Sequence, residues 1–257
     1  MLIYVMCMKN SLKRTTKKAF AALGIEVHRT GAPSETTTNY GLDNFFPLLR
    51  TLGLKPRHII DVGANHGSWT RRAIRYFPSA GYTLIEPQAN LKAHIQDLID
   101  QGHNITWISA GCSNEPGQLQ LMLSLRDDRS TFIQEDRHGK KITGPSISVS
   151  VTTLNQIVAT AGMPEMVKID AEGYDLKVLE GGSNLFGNTE IFLVEGQVCA
   201  NYDTSTAQVI GFMEKAGYQL MDITDMNRSP KHGVLWLCEL AFIRKDSPLI
   251  RNVLSYE

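Results

Sequence analysis

Lys168, Asp170 and Glu172 recur with a period of two at the end of the apolar run Met166-Val167-Lys168-Ile169-Asp170. If a strand persists through residue 172, the three side chains share one face. A lysine inside an apolar run must pair with an acid or reach water. Two readings follow: a structural ion pair that fixes the strand end, or charges assembled at a reacting centre. Glu195 closes the next apolar run, Ile191-Phe192-Leu193-Val194-Glu195, and sets another carboxylate at a neighbouring strand end. Such a group suits removal of a proton from a hydroxyl, with Asp170 the first candidate base, then Glu172 and Glu195. Lys168 would tune them or stabilise a developing alkoxide. Asp170, Glu172 and Glu195 could instead hold one hard divalent cation, such as Mg2+, through oxygen ligands.

A second constellation precedes these acids. The run Ile59-Ile60-Asp61-Val62 ends in Gly63-Ala64-Asn65-His66-Gly67 and opens a stretch with Trp69, Ala73 and Phe77 at helical spacing. This is the strand, glycine turn and helix start of a doubly wound domain, where ligands bind beyond the strand carboxyl ends. Dinucleotide, nucleoside triphosphate and S-adenosylmethionine compete for the loop. A dinucleotide fingerprint needs a middle glycine where this chain has Asn65, and a triphosphate loop needs a Lys that is absent. D-x-G-x-N-x-G is left, suited to S-adenosylmethionine, which carries no phosphate. Glu86, 25 positions after Asp61 in Leu84-Ile85-Glu86-Pro87, offers a carboxylate for a ribose diol; alone, it reads equally as a solvated strand-end acid. Asp61 has a structural reading too, as a cap for the loop amides. The cofactor-binding set is therefore Asp61, Gly63, Ala64, Asn65, Gly67, Glu86, Pro87 and, at the exit of the third strand, Ala110.

These residues need an alternating frame of strands and helices to hold them. Helices are predicted over 42–52, 89–99, 153–161, 174–179 and 206–216, and parallel strands at 59–62, 81–86, 104–110, 166–170 and 191–195. Tyr218 to Ile223 and Val234 to Ile243 read as an antiparallel pair at one edge. Leu119, Leu121, Leu123 and Leu125, then Ile147, Val149 and Val151, alternate with polar residues, which predicts two paired, half-buried strands in an insertion over 117–151. The charged stretch Arg126 to Lys141 between them reads as a mobile loop that closes over a substrate and sets its selectivity. The fold class is α/β: a Rossmann-like, seven-stranded, mostly parallel sheet with an antiparallel edge hairpin and a small β insertion. Residues 39–257 form that domain, and 1–38 form a basic amphipathic helix and linker that at most touches a membrane peripherally.

Lys+Arg and Asp+Glu both number 26, so no phosphate-backbone footprint shows in the total and nucleic acid is not the expected partner. Four cysteines lie far apart with no C-x-x-C pair, which fits a reducing cytoplasm. The apolar start at Met1 to Met8 is too short to span a membrane and lacks the marks of a secretory signal. His66 and His232 read as solvated loop residues, and neither Ser68 nor Ser113 sits in a nucleophile elbow.

With these residues in view, the chain resembles the FkbM family of S-adenosylmethionine-dependent methyltransferases. Asp61-Val62-Gly63-Ala64-Asn65-His66-Gly67 is similar to the family's first motif and Ile85-Glu86-Pro87 to its second. Val167 to Gly173 with Leu179-Glu180-Gly181-Gly182 resembles its most characteristic stretch, and Leu193-Val194-Glu195 the strand after it. Ala171 stands where the family usually has Val, and Glu195-Gly196-Gln197 departs from its commonest ending. The resemblance implies a class I methyltransferase fold and transfer of a methyl group to oxygen on a sugar, glycan or small metabolite. A metal-dependent glycosyltransferase using Asp170 and Glu172 is the alternative, and a non-catalytic binding module a third reading.

Overall fold

A computed structural model describes residues 41–124, 129–199, 202, 204–251 and 253. The basic helix and linker expected over 1–38, and part of the charged loop after Leu125, lie outside the described residues. The chain runs α1 (Leu42–Thr51), β1 (His58–Val62), α2 (Ser68–Tyr76), β2 (Gly81–Ile85), a 3-10 turn (Ala89–Ile95) leading into α3 (Gln96–Asp100), and β3 (Ile105–Ile108). It continues through β4 (Gly111–Cys112), β5 (Gly117–Met122), β6 (Ser146–Thr152), α4 (Leu154–Ala161), β7 (Met166–Ile169), α5 (Asp175–Glu180), β8 (Ile191–Gln197), α6 (Thr206–Lys215), β9 (Tyr218–Arg228) and β10 (Leu235–Arg244).

The main sheet has seven strands in the order β3-β2-β1-β7-β8-β10-β9. The first five are mutually parallel, and β10 runs antiparallel to both neighbours. Chain order reverses between β1 and β7, which is the switch point where open α/β sheets bind ligands. Continuous apolar strands require cover on both faces. Ile59 and Leu193 pack into one cluster with α1 and α2, whereas Ile60 and Val194 pack into the other with α4 and α6. Fully burying each such side chain stabilises by roughly 1.5–3 kcal/mol.

The insertion is a separate three-stranded sheet, β4-β6-β5. β5 and β6 pair antiparallel, as their alternation predicts, with Leu121, Val149 and Val151 buried. Gly111-Cys112, read from sequence as an exit loop, instead forms a short strand parallel to β6. The bare α-carbon of Gly111 permits this, since a Cβ there would lie 2.4 Å from the Phe132 ring. The helix expected over 89–99 begins as a 3-10 turn, because the strand-end Glu86 carboxylate takes the Gln88 N–H at 2.9 Å and sets the entry of the chain.

Helix starts follow local rules. Thr153 caps α4 through Gln156 N, and Ser205 with Gln208 forms a full capping box on α6. Pro47 inside α1 removes the donor that would meet Asp43 O, and that carbonyl lies 3.4 Å from the Tyr76 hydroxyl of α2 instead. The contact joins α1 to α2 beside the site.

Candidate active site

β1 ends on a loop that only particular residues can follow. Gly63 has φ of 73°, and a Cβ there would lie 1.8 Å from the carbonyl oxygen of Asp170. The exits of β1 and β7 therefore touch backbone to backbone. Asn65 takes the left-handed conformation with φ of 46°, which Asn tolerates better than most residues. Its N–H donates to Glu86 Oε2 at 3.0 Å. Gly67, with φ of 74°, opens α2 and lies so close to Ile95 that a Cβ would reach within 2.5 Å of it. Glu86 is buried, and burial pushes its carboxyl up against the opposing pull of the Gln88 and Asn65 amides and Lys168. It thus pins the first loop and the entry to the next helix while facing the cleft.

Beneath the loop, Asp61 and Lys168 are register partners on β1 and β7. Asp61 is fully buried and accepts the Thr70 hydroxyl at 2.5 Å. Its other oxygen lies 3.3 Å from Lys168 Nζ, which also lies 3.4 Å from Asp170 and donates to the Gly63 carbonyl at 3.0 Å. Burial alone would lower the Lys168 pKa, but Asp61, Asp170 and Glu239 more than offset it and hold the ammonium charged. The loop amides anticipated as Asp61's partners are engaged elsewhere, by the Ile85 carbonyl and Glu86. Asp61 acts on the loop through Lys168.

β7 stops at Ile169, so the period-two face expected through residue 172 is broken. Glu172 turns left-handed, with φ of 49°. Asp175, which the sequence reading passed over, enforces this turn: its carboxylate accepts Ala171 N at 2.8 Å and Gly173 N at 3.1 Å. The signal lay in the spacing Gly173-Tyr174-Asp175, an acid in the first turn of a helix after a glycine bend. Burial, with Asp170 adding to it, pushes the Asp175 carboxyl up to about 7. Despite the bend, one carboxylate oxygen from each of Asp170, Glu172 and Glu195 lies within 4.8 Å of the others. Glu195 is 7 % exposed and accepts Gln197 Nε2 at 2.5 Å. Burial, with Asp170, Asp175 and Glu172 nearby, raises its pKa well above the carboxylate range.

A cleft of about 640 Å³ opens over these strand ends. Gly63, Ala64, Asn65, Glu86, Pro87 and Ala110 line it, as do Lys168, Asp170 and Glu172. Asp61, Gly67 and Glu195 are absent from the lining and support it from behind. The insertion adds Leu121, Ser130 and Phe132, and Thr131 Oγ1 donates to Glu172 O at 2.7 Å. Sequence reasoning placed this stretch over the site but did not single out Phe132, which packs on Tyr174 at 5.4 Å between ring centroids. It also missed Asp225 and Glu239, which line the cleft, and named Trp69 only as part of a helix face. Asp225 lies beyond the strand predicted over 218–223 and Glu239 within the predicted edge pair, and no local motif marks either.

The lining suits S-adenosylmethionine. A pyrophosphate needs free loop amides, but those of Gly63 and Ala64 donate to the Ile85 carbonyl and that of Asn65 to Glu86. Carboxylates at the strand ends favour a positively charged sulfur, and Glu86 presents an acceptor at the position that serves ribose hydroxyls. Strand order, switch-point cleft and lining together define a class I S-adenosylmethionine-dependent methyltransferase.

The Methyltransferase FkbM domain matches residues 61–220, more than half of the chain. The protein belongs to the FkbM methyltransferase family. This membership sets aside the glycosyltransferase alternative and the non-catalytic reading. Among solved structures, the FkbM methyltransferase of Methylobacillus flagellatus KT is 13% identical, with 92% of this chain and 72% of that one covered and a TM-score of 0.48. Precorrin-6y C5,15-methyltransferase of Geobacter metallireducens GS-15 is 13% identical, with 79% and 88% covered and a TM-score of 0.47. Magnesium protoporphyrin IX methyltransferase of Synechocystis PCC 6803, with bound S-adenosylmethionine, is 12% identical, with 79% and 77% covered and a TM-score of 0.48. A comparison with curated proteins finds no match. Among the described residues, no helix is long and apolar enough to cross a membrane.

Proposed function

We propose that residues 39–257 are the catalytic domain of an O-methyltransferase whose acceptor is a hydroxyl of a sugar, glycan or small metabolite. The observation that carries this is the cluster of Asp170, Glu172 and Glu195 carboxylates beside a loop that fits the cofactor. S-adenosylmethionine, when bound, supplies an electrophilic methyl on a positively charged sulfur. Gly63, Ala64 and Asn65 would lie along its amino-acid end, and Glu86, Pro87 and Ala110 around the adenosine. An alcohol attacks poorly until its proton leaves. Asp170 lines the cleft and takes that proton, with one oxygen each of Glu172 and Glu195 close beside it. Lys168 keeps Gly63 and Asp170 in register across the β1–β7 seam. Acidic lining disfavours a phosphodiester, so nucleic acid is not the proposed acceptor.

The test is release of demethylated cofactor from S-adenosylmethionine across a panel of glycans and hydroxylated metabolites. Asp170→Asn should reduce kcat by about 10²–10⁴-fold with cofactor affinity retained; unchanged turnover removes Asp170 as base. A second reading rests on the close approach of the three acids, which matches the spacing of oxygen ligands around one divalent cation. Chelator-treated enzyme that regains activity only with added Mg2+ would establish it; full activity without added metal leaves the metal-free base.

A further inference from the structure

We infer that Arg72 of α2 binds the carboxylate at the amino-acid end of S-adenosylmethionine. That role rests on the methyltransferase reading of the same cleft. Among the described residues, Arg72 and Lys168 are the arginine and lysine that line the cleft, set against the carboxylates of Glu86, Asp170, Glu172, Asp225 and Glu239. A ligand tail that ends in a carboxylate needs a cation or free amides in so acidic a lining.

The other donors near the loop are committed. The amides of Gly63 and Ala64 donate to the Ile85 carbonyl, that of Asn65 to Glu86 Oε2 and that of His66 to the Asn65 side chain. The Lys168 ammonium has three hydrogens to donate and three acceptors around it: Gly63 O at 3.0 Å, Asp61 Oδ1 at 3.3 Å and Asp170 Oδ2 at 3.4 Å. Arg72 is placed differently. Its side chain is 42 % exposed and, among the described residues, donates from Nη2 alone, to Asp43 Oδ2 of α1 at 3.1 Å. Asp43 is itself 59 % exposed, so this is a surface pair that contributes little and yields readily to a competing carboxylate. A guanidinium carries five donors and grips a carboxylate through two of them at once.

Position favours Arg72 as well. The cofactor loop runs directly into α2, where Ser68 and Arg72 stand one turn apart and both line the cleft. Long helical side chains lean toward the helix N-terminus, so the reach of Arg72 extends over Ser68 toward the loop. With the adenosine at Glu86 on the β2 exit, the amino-acid tail crosses the loop after β1. Asp170 and Glu172 at the β7 exit repel a carboxylate and suit the positive sulfur and the ammonium, whereas α2 offers the cation. The two charges of the tail are thereby sorted to opposite walls.

The test is calorimetry on the full chain with two probes, S-adenosylhomocysteine and S-adenosyl-3-thiopropylamine, which lacks only the carboxylate. Wild type should bind the first at least about tenfold more tightly than the second, as a charge-assisted contact supplies. Arg72→Gln should weaken S-adenosylhomocysteine by about the same factor and leave the decarboxylated probe within about twofold. Asp43→Asn, which removes the competing partner, should bind S-adenosylhomocysteine as tightly as wild type or more so. Wild-type affinity for S-adenosylhomocysteine in Arg72→Gln, or an equal loss of both probes, overturns the role of Arg72 while the methyltransferase reading stands. A loss in Asp43→Asn equal to that in Arg72→Gln also overturns it, because the effect would then lie in the contact between α1 and α2. Wild type that binds neither probe overturns the methyltransferase reading and the role of Arg72 with it. Should Arg72→Gln fail to fold, equal wild-type affinity for the two probes still overturns the assignment, and preference for S-adenosylhomocysteine kept in Asp43→Asn supports it.

Discussion

Glu86 carries two tasks through one carboxylate. It accepts the amides of Asn65 and Gln88 within the protein and faces the proposed adenosine end of the cleft. Glu86→Ala should weaken S-adenosylmethionine binding at least tenfold by calorimetry. It should also destabilise the fold by about 1–3 kcal/mol for each buried amide left without a partner. Binding at wild-type strength would remove Glu86 from the cofactor site. Glu239 makes a pH prediction. Burial, partly countered by Thr224 and Lys168, pushes its carboxyl up to about 7 from a usual value of 4.5. The folded state then binds more protons than the unfolded state between those values, so the contribution of Glu239 to stability falls as pH rises through that window. Glu239→Gln should flatten the loss of Tm between pH 5 and pH 8; an unaltered slope would place the titration on other groups. Asp175, also pushed up to about 7, contributes with the same sign.

At the scale of the element, the site depends on how two strand exits meet. The β1 loop and the β7 loop approach so closely that Gly63 has no room for a side chain. Lys168, anchored by Asp61 from β1, holds the two together. Gly187 offers a control: its φ is 81°, but a Cβ there would meet nothing within 4 Å. Gly187→Ala should cost only the left-handed conformation, about 1–2 kcal/mol. Gly63→Ala carries that cost plus the clash with Asp170, so urea denaturation should show a clearly larger loss, accompanied by weaker cofactor binding. Equal losses would mean that the strand exits can separate freely. The insertion sheet works by the same principle of short anchors. β4 pairs with β6, and Thr131 donates to Glu172 O, which ties the wall of the cleft to the loop that carries the candidate acids.

The whole molecule divides its cleft between two sources. The parallel half of the sheet lines it through the exits of β1, β2 and β7, and the antiparallel edge adds Asp225 and Glu239. The carboxylates gathered between them repel one another, and burial and mutual proximity raise the proton affinity of Glu195. A chain with equal numbers of acids and bases overall thus concentrates acids where its strands end. Net charge spoke of the total and could not report that local asymmetry.

The sequence by itself determined the parallel strands, because their runs are largely apolar and all but the third close at or beside an acid, and it determined the glycine loop, because its glycines and Asn65 answer to backbone conformation. It also brought Asp170, Glu172 and Glu195 into one group, since parallel neighbours place their carboxyl ends together. The tertiary structure alone decided which of the named residues face the cleft. Asp61, Gly67 and Glu195 stand behind the lining, although each sits in a motif. The early stop of β7 followed from the Asp175 clasp on Ala171 and Gly173, a contact visible only once the turn is folded. Trp69 and Glu239 had looked like ordinary members of an apolar helix face and an edge strand. Their position depends on strand register and helix packing across residues far apart in the chain, which local spacing does not encode.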